Sequence, residues 1–363
     1  EDDIIYLQYT SGTTGTPKGV MLSHRNYISS AKNFFYAGPL NRDDVYMAVM
    51  PYYHSVNIAH AAAVLRGCTT VVLNFDPLAV LEAIEKYKIT IGMLVPTMIK
   101  MVLEHPDLDE YDISSLKTLL YAASPMPSAL LKRGLSIWGP IFTQMYGLSE
   151  SSTLCVCLPK NNHKLISGEG YSEKLRSIGQ PIPSVEVKIV DEDGNEVEPD
   201  DGHVGKVGEI VIKGPTVARG YWQKPEQTQK TFKNGRLYTG DMARRDKDYY
   251  IYLVDRKHDM IISGGVNIYP SEIENILQYH PSIDEVVVFG APDEKWIEIV
   301  VAYIVPQKND RIKKDEIVEY LKDKIGKYKI PKMIKFVSDI PKDATGKFDR
   351  KRLKNEYKEN CSG

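Results

Sequence analysis

Ten residues near the start of the chain carry its densest chemical signal. Thr10-Ser11-Gly12-Thr13-Thr14-Gly15-Thr16-Pro17-Lys18-Gly19 follows an apolar, strand-like run, Ile4–Leu7. Its glycines free the backbone to approach a ligand and to adopt positive φ. The hydroxyls at positions 10, 11, 13, 14 and 16 add hydrogen-bonding groups without bulk, and Lys18 adds a mobile cation suited to phosphate. A bare Gly/Ser/Thr run is most often an ordinary turn, but this density, closed by Pro-Lys-Gly, points to phosphate binding. A Walker A loop needs Gly, four residues, then Gly-Lys-Ser/Thr. Counting from Gly12 lands on Pro17 and counting from Gly15 lands on Val20, so this phosphate loop is of another kind.

The longer stretch Tyr9–His24, YTSGTTGTPKGVMLSH, resembles the phosphate-loop signature of the adenylate-forming (AMP-binding) superfamily, and further motifs follow in that superfamily's order. The resemblance implies that Thr10, Ser11, Gly12, Thr13, Thr14 and Gly15 wrap the phosphates while Lys18 steadies the β,γ pair. Pro51-Tyr52-Tyr53-His54 is similar to the aromatic-His segment beside the acyl pocket, which makes His54 a wall or gate of the carboxylate site. Tyr121-Ala122-Ala123-Ser124-Pro125 stands where the family has a small-residue run lining adenine and acyl group, with Ala123 and Ser124 as contacts. Small side chains there leave room for a ligand and equally permit tight packing. Tyr146-Gly147-Leu148-Ser149-Glu150 resembles the YGxTE motif: Tyr146 and Gly147 beside adenine, Ser149 near the α-phosphate in place of the commoner Thr, and Glu150 as the Mg²⁺ ligand.

Tyr238-Thr239-Gly240-Asp241 resembles the motif whose carboxylate accepts from both ribose hydroxyls. Asp255–Asp259 is similar to the family's hinge, with Arg256 contacting ribose or α-phosphate and His258 at the pivot, where the family usually has Asp or Lys. Gly264–Glu274 matches the segment presented during thioester formation, Gly265 lying where a side chain would block the pantetheine tunnel. Thr345-Gly346-Lys347 resembles the C-terminal motif whose lysine reaches the α-phosphate and the substrate carboxylate. The resemblance therefore implies an acyl-CoA synthetase using ATP, Mg²⁺ and coenzyme A on a small carboxylic acid, with the C-terminal domain rotating between two half-reactions. Three alternatives stay open. An amino-acid adenylation domain usually carries an Asp where this chain has Tyr53-His54. An acyl-AMP ligase could load a carrier protein instead of coenzyme A. An incomplete chain could act as a nucleotide-binding remnant.

These residues need a scaffold, and the periodicity supplies one. Val45–Met50, Thr70–Leu73, Ile91–Val95, Leu116–Tyr121 and Ile141–Gln144 read as buried strands, interleaved with helices over Pro77–Tyr87, Thr97–Glu104 and Ser128–Ile137, with Thr97 and Ser128 as N-caps. The alternation predicts a mostly parallel sheet flanked by helices. Short strands Val185–Val190 and Glu209–Lys213 around the Asp193-Gly194 turn predict a small antiparallel β-barrel subdomain. Helix Ser271–Gln278, strands Val286–Phe289 and Ile299–Val305, helix Lys313–Ile325 and a strand near Ile334–Val337 predict a mobile C-terminal α+β domain. The expected divisions are 1–170, 171–254 and 255–363, with the hinge at 255–259.

Composition bounds the reading further. The chain has 363 residues, is 42% hydrophobic and 26% charged, and carries a net charge of −2, so it has no overall pull toward nucleic acid or membrane. From Lys308 to Lys358 there are 17 Lys or Arg against 9 Asp or Glu, read as a solvated surface or as a patch that meets phosphate. Four scattered cysteines predict buried free thiols in a reducing compartment, and no run of about 18 apolar residues suggests a membrane span. With no signal peptide read, a cytoplasmic protein is expected. The first residue is Glu and the phosphate loop begins within ten residues of it, so an N-terminal subdomain is expected to be missing.

Overall fold

The computed structural model describes residues 1–10, 17–38, 40–53, 57–124, 126–163, 173–200, 206–308, 310–342 and 348–361. Two compact units emerge, one of residues 1–239 and 243–253, the other of 240–242 and 254–363.

The first unit opens with strands β1 (Ile4–Thr10) and β2 (Lys18–Ser23), paired antiparallel so that Tyr9 faces Gly19 and Thr10 faces Lys18. Helix α1 (His24–Ala37) follows at once. Ser23 caps it by accepting from the Asn26 amide, and Asn26 reciprocates on the Ser23 amide. Then come β3 (Val45–Ala48), α2 (Asn57–Arg66), β4 (Thr69–Val72), α3 (Pro77–Tyr87), β5 (Ile91–Leu94), α4 (Pro96–Leu103), β6 (Thr118–Tyr121), α5 (Ser128–Trp138), β7 (Phe142–Tyr146), β8 (Val156–Leu158) and β9 (Gln180–Pro181). Strands β3 to β9 form one seven-stranded sheet, ordered β4-β3-β5-β6-β7-β8-β9. The pairings among β3 to β7 are parallel, as the helix–strand alternation predicts, whereas β7–β8 and β8–β9 are antiparallel. The sheet is thus mixed. Buried apolar residues cover both faces: Phe34, Ile58 and Met93 on one, Leu81, Ile99, Leu119 and Phe142 on the other.

Helix α3 has the expected bounds because local chemistry sets both ends. Asp76 accepts from the Ala79 amide, Pro77 occupies the first turn, and Lys88 closes the helix in a left-handed conformation. The two expected caps are corrected. Helix α4 starts at Pro96 behind Val95, and Ser128 lies inside α5 behind Pro127, with no side-chain cap in either case. Proline fixes φ at these starts, and that preorganisation stands in for a hydroxyl. A second sheet contains β10 (Glu186–Val190), β11 (Gly208–Lys213), β12 (Phe232–Lys233), β13 (Arg236–Arg245) and β14 (Ile251–Arg256), with α6 (Pro225–Thr231) before β12.

The second unit contains β15 (Ile261–Ser263), β16 (Val266–Ile268), α7 (Pro270–Leu277), β17 (Ile283–Asp293), β18 (Ile297–Pro306), α8 (Lys314–Lys322), β19 (Met333–Phe336) and α9 (Arg350–Cys361). Its sheet runs β16-β15-β18-β17, with β19 parallel to β18. Ile273, Leu277, Ile317 and Leu321 of the helices pack against Val286, Val288, Val300 and Ala302 of the strands. No helix among the described residues is long and apolar enough to cross a membrane.

Candidate active site

Strands β3, β5, β6 and β7 are adjacent and parallel, so their carboxyl ends share one edge of the sheet, the edge where open α/β sheets take ligands. Tyr52 and Tyr53 follow β3 there, Ala123 and Ser124 follow β6, and Gly147, Ser149 and Glu150 follow β7. Ala123 is exposed with φ +74, an uncommon conformation for a residue with a Cβ, and such residues cluster at functional sites. Tyr121 is the last residue of β6. Its ring is fully buried, and its hydroxyl meets His163 Nε2 at 3.0 Å and Gln144 Oε1 at 3.2 Å. Burial pushes His163 down to about 4, so the imidazole is neutral in this cluster.

Gly147 is the tightest point of the edge. A Cβ there would sit 1.4 Å from the Thr153 carbonyl oxygen, because residues 147–155 fold back on themselves. The Thr153 amide donates to the Leu148 oxygen at 2.9 Å and the Cys155 amide to the Tyr146 oxygen at 2.9 Å. Tyr146 is buried in the core beneath this turn. Cys155 and Cys157, both buried and free, flank the entry into β8, and burial pushes their thiols up to about 11 and about 12.

The β1–β2 hairpin brackets the glycine-rich loop. Residues Ser11–Thr16, which hold Gly12, Thr13, Thr14 and Gly15, lie outside the described residues, as do His54 and Lys347. What surrounds them is described. Gln8 of β1 is buried and donates to the Tyr53 oxygen at 2.6 Å, while the Tyr6 hydroxyl donates to the Tyr52 oxygen at 3.2 Å. Strand β1, which leads toward residues 11–16, therefore also fixes Tyr52 and Tyr53 just ahead of His54. Similarly, the Asp349 amide donates to the Pro341 oxygen, and Lys342 bridges Phe348, closing the neck around residues 343–347.

Across the hairpin stands Tyr221, a residue the sequence reading did not single out. Its hydroxyl donates to Glu150 Oε1 at 2.8 Å, and Lys18 Nζ lies 5.0 Å from its ring centroid. The glycine before it and the aromatic after it, Gly220 and Trp222, were the available sequence signal. Among the described residues no three His, Cys, Asp or Glu side chains gather to hold a metal. Glu150 is half-buried, and among the described residues its Oε2 takes no hydrogen bond, which fits Mg²⁺ held by one carboxylate together with substrate phosphates.

In the second unit, the two residues expected to meet ribose and phosphate meet each other: Arg256 Nε lies 2.7 Å from Asp241 Oδ1, and Asp241 is buried. The hinge segment is anchored beside them. Asp255 accepts from the Arg256 and Ser271 amides at 2.7 and 2.8 Å, and burial pushes its carboxyl up. His258 is half-exposed, 3.7 Å from Asp259. Gly264 and Gly265, with φ +59 and +81, form the two-residue turn between β15 and β16. A Cβ on Gly264 would strike the Trp296 ring at 2.8 Å, whereas one on Gly265 would meet nothing within 4 Å. The lysine-rich stretch is largely partnered surface: Lys329 pairs with Glu272, Lys342 with Glu285, and Lys332 lies over Trp296.

The fold is that of an α/β protein whose first unit carries a mixed sheet with a ligand-accessible carboxyl edge, followed by a second α+β unit. The chain belongs to the AMP-binding enzyme family: the AMP-binding enzyme model matches residues 1–222, and the AMP-binding enzyme C-terminal domain model matches 272–347. It is 37% identical over 366 aligned residues to a medium/long-chain-fatty-acid–CoA ligase, FadD8, of Mycobacterium tuberculosis, covering 98% of this chain and 62% of that one. It is 36% identical to a feruloyl-CoA synthase of Amycolatopsis sp., covering 98% and 70%. Among solved structures it resembles o-succinylbenzoate CoA synthetase (MenE) of Bacillus subtilis in complex with the acyl-adenylate intermediate OSB-AMP, at 34% identity and TM-score 0.83, covering 96% of this chain and 68% of that one. The chain thus spans 62–70% of the length of these relatives.

Proposed function

We propose that this chain carries out ATP-dependent activation of a carboxylic acid, fatty or aryl, to an acyl-adenylate and then transfers the acyl group to coenzyme A. The observation that carries this reading is the juxtaposition of Lys18 and Glu150 around Tyr221, at the sheet edge that also presents Ala123, Ser124, Gly147 and Ser149. The similarity to acyl-CoA ligases supports it. A carboxylate is a poor acyl donor because oxide would have to leave. In the first step a carboxylate oxygen attacks the α-phosphorus of ATP, the bond to the bridging oxygen breaks, and pyrophosphate leaves with that electron pair. No general base is needed, since carboxylic acids are ionised near neutral pH. The obstacle is one anion approaching another, so cationic groups set the rate. Lys18 and the loop 10–15 hold the β- and γ-phosphates, Glu150 holds magnesium, and Lys347 bridges α-phosphate and carboxylate. Magnesium supplies positive charge to the phosphate oxygens. In the second step the thiolate sulfur attacks the carbonyl carbon, the bond to the AMP oxygen breaks, and AMP leaves.

Asp241 and Arg256 form the ribose-facing pair of this reading, and Gly265 leaves the turn open for the thiol arm. Residues 255–259, with His258 as pivot, serve as the hinge between the divisions 1–170 and 171–254 on one side and the lid at 255–363 on the other, and His54 bounds the acyl pocket. The use of ATP and coenzyme A, and the free thiols of Cys68, Cys155 and Cys157, suit a cytoplasmic setting. The test is ATP–pyrophosphate exchange over a panel of alkyl and aryl acids, followed by thioester formation from supplied acyl-adenylate. Lys347→Ala is expected to lower exchange at least about 100-fold, as loss of a transition-state cation does, while sparing the thioester step. Equal loss of both steps would refute the assignment of Lys347.

A further inference from the structure

We infer that Tyr221 is a positioning residue of the triphosphate site, holding the Lys18 cation and the Glu150 carboxylate apart so that each stays available to magnesium-bound nucleotide. This rests on the reading of the β1–β2 hairpin as a triphosphate site. The geometry is specific. One face of the phenol ring lies under Lys18 Nζ at 5.0 Å, and its hydroxyl donates to Glu150 Oε1 at 2.8 Å. Among the described residues Lys18 has no carboxylate within ion-pair distance, and its described side-chain contact is this ring. An ammonium ion beside a free carboxylate would pair with it and neutralise both charges the site requires. A ring between them substitutes a cation–π contact, which is weaker than an ion pair and yields to phosphate.

Tyr221 is held firmly enough to act as a spacer. Residues 219–222 lie along β2: the Arg219 amide donates to Met21 O, the Met21 amide to Gly220 O, and the Trp222 amide to Gly19 O. Gly220 has φ +134, and a Cβ there would strike the Thr228 methyl at 2.3 Å, so the chain can pass Thr228 this closely only as glycine. Thr228 Oγ1 in turn accepts from the Tyr221 amide at 2.9 Å. The same segment fixes the other partner, since the Ala218 amide donates to the Glu150 backbone oxygen at 2.9 Å. With Oε1 pinned by the phenol hydroxyl, Oε2 is the oxygen left to face a cation.

The test is calorimetric binding of a non-hydrolysable ATP analogue to the full chain, with and without Mg²⁺, for wild type, Tyr221→Phe, Tyr221→Leu and Tyr221→Leu/Glu150→Gln, with melting temperatures recorded alongside. Tyr221→Phe keeps the spacer and loses the donor, so metal-free binding stays within about twofold of wild type while the gain on adding Mg²⁺ falls about tenfold. Tyr221→Leu lets Lys18 reach Glu150, so metal-free binding falls about tenfold as well, and Glu150→Gln in that background restores it. Equal weakening of Tyr221→Phe with and without Mg²⁺, or no recovery in the double variant, overturns the inference and leaves a packing role. If Tyr221→Leu does not fold, the Tyr221→Phe comparison decides alone. Wild type that binds no analogue overturns the triphosphate reading itself and this inference with it.

Discussion

Removing Arg350 should destabilise the second unit strongly near neutral pH and only weakly in mild acid. Arg350 Nη2 lies 2.6 and 2.7 Å from the two oxygens of Glu274, its Nε donates to the Val288 oxygen, and its Nη1 is 3.9 Å from Asp259. Glu274 is 7% exposed and also accepts from the Val288 amide at 2.6 Å. Burial already pushes its carboxyl up from the ordinary 4.5, although Arg350 opposes the shift. A group whose pKa is raised on folding gives its full stability below the unfolded value and loses stability as pH rises through the folded one. Without Arg350 the buried carboxylate must either stay charged and unpaired or take up a proton. With 4.5 as the unfolded value, protonation costs about 4 kcal/mol near pH 7.5 and about 1.4 kcal/mol near pH 5.5. Loss of one partner from a buried pair ordinarily costs about 3–5 kcal/mol, so at neutral pH the two routes are comparable. The assay is urea unfolding of Arg350→Ala followed by Trp296 fluorescence, with the other two tryptophans, Trp138 and Trp222, replaced by Phe. The expected loss is about 3–4 kcal/mol near pH 7.5, shrinking by about 2 kcal/mol or more near pH 5.5. Arg350→Met/Glu274→Leu should recover most of it, because an apolar pair removes the desolvation cost from both sides. A loss independent of pH, or no recovery in the double variant, would refute the reasoning.

Two glycines offer sharper steric tests. Gly147→Ala places a methyl 1.4 Å from the Thr153 oxygen, an overlap with backbone that no rotamer relieves; it is expected to cost about 3 kcal/mol or more and to abolish pyrophosphate exchange, and a near-normal melting temperature would contradict the described turn. In Gly265→Leu the added Cβ meets nothing within 4 Å but the residue must hold φ +81, so the fold should lose only about 1–2 kcal/mol. Under the proposed role thioester formation should collapse in that variant while pyrophosphate exchange persists, and normal coenzyme A turnover would count against it.

The parallel strands β3 to β7 and helix α3 were legible from sequence because each is a short apolar run or a 3.6-residue period closed by local signals, such as Asp76-Pro77 before α3. Helices α1 and α2 were not singled out. Helix α1 buries Asn26, Ser30 and Asn33 beside Phe34 and Ala37, so polar side chains on its inner face blur the period. Those polar groups are used: Asn26 Nδ2 reaches the Pro215 and Val217 oxygens, 189 and 191 residues away. The caps expected at Thr97 and Ser128 failed because neighbouring prolines already set the backbone at both helix starts.

By itself the sequence determined the chemical inventory: a glycine and hydroxyl loop ending in Lys18, a Tyr-Gly-Leu-Ser-Glu turn, an Asp241 and an Arg256, and two glycines where a chain must turn sharply. These are properties of adjacent residues, and covalent order carries them. Tertiary structure alone decided which of them face one another. Tyr221 meets Glu150 across 71 residues and Arg350 meets Glu274 across 76, and β8 turns antiparallel to a sheet that is otherwise parallel up to that point. Such contacts arise from burial in a shared core and from strand register, and neither leaves a trace in any short window of the chain.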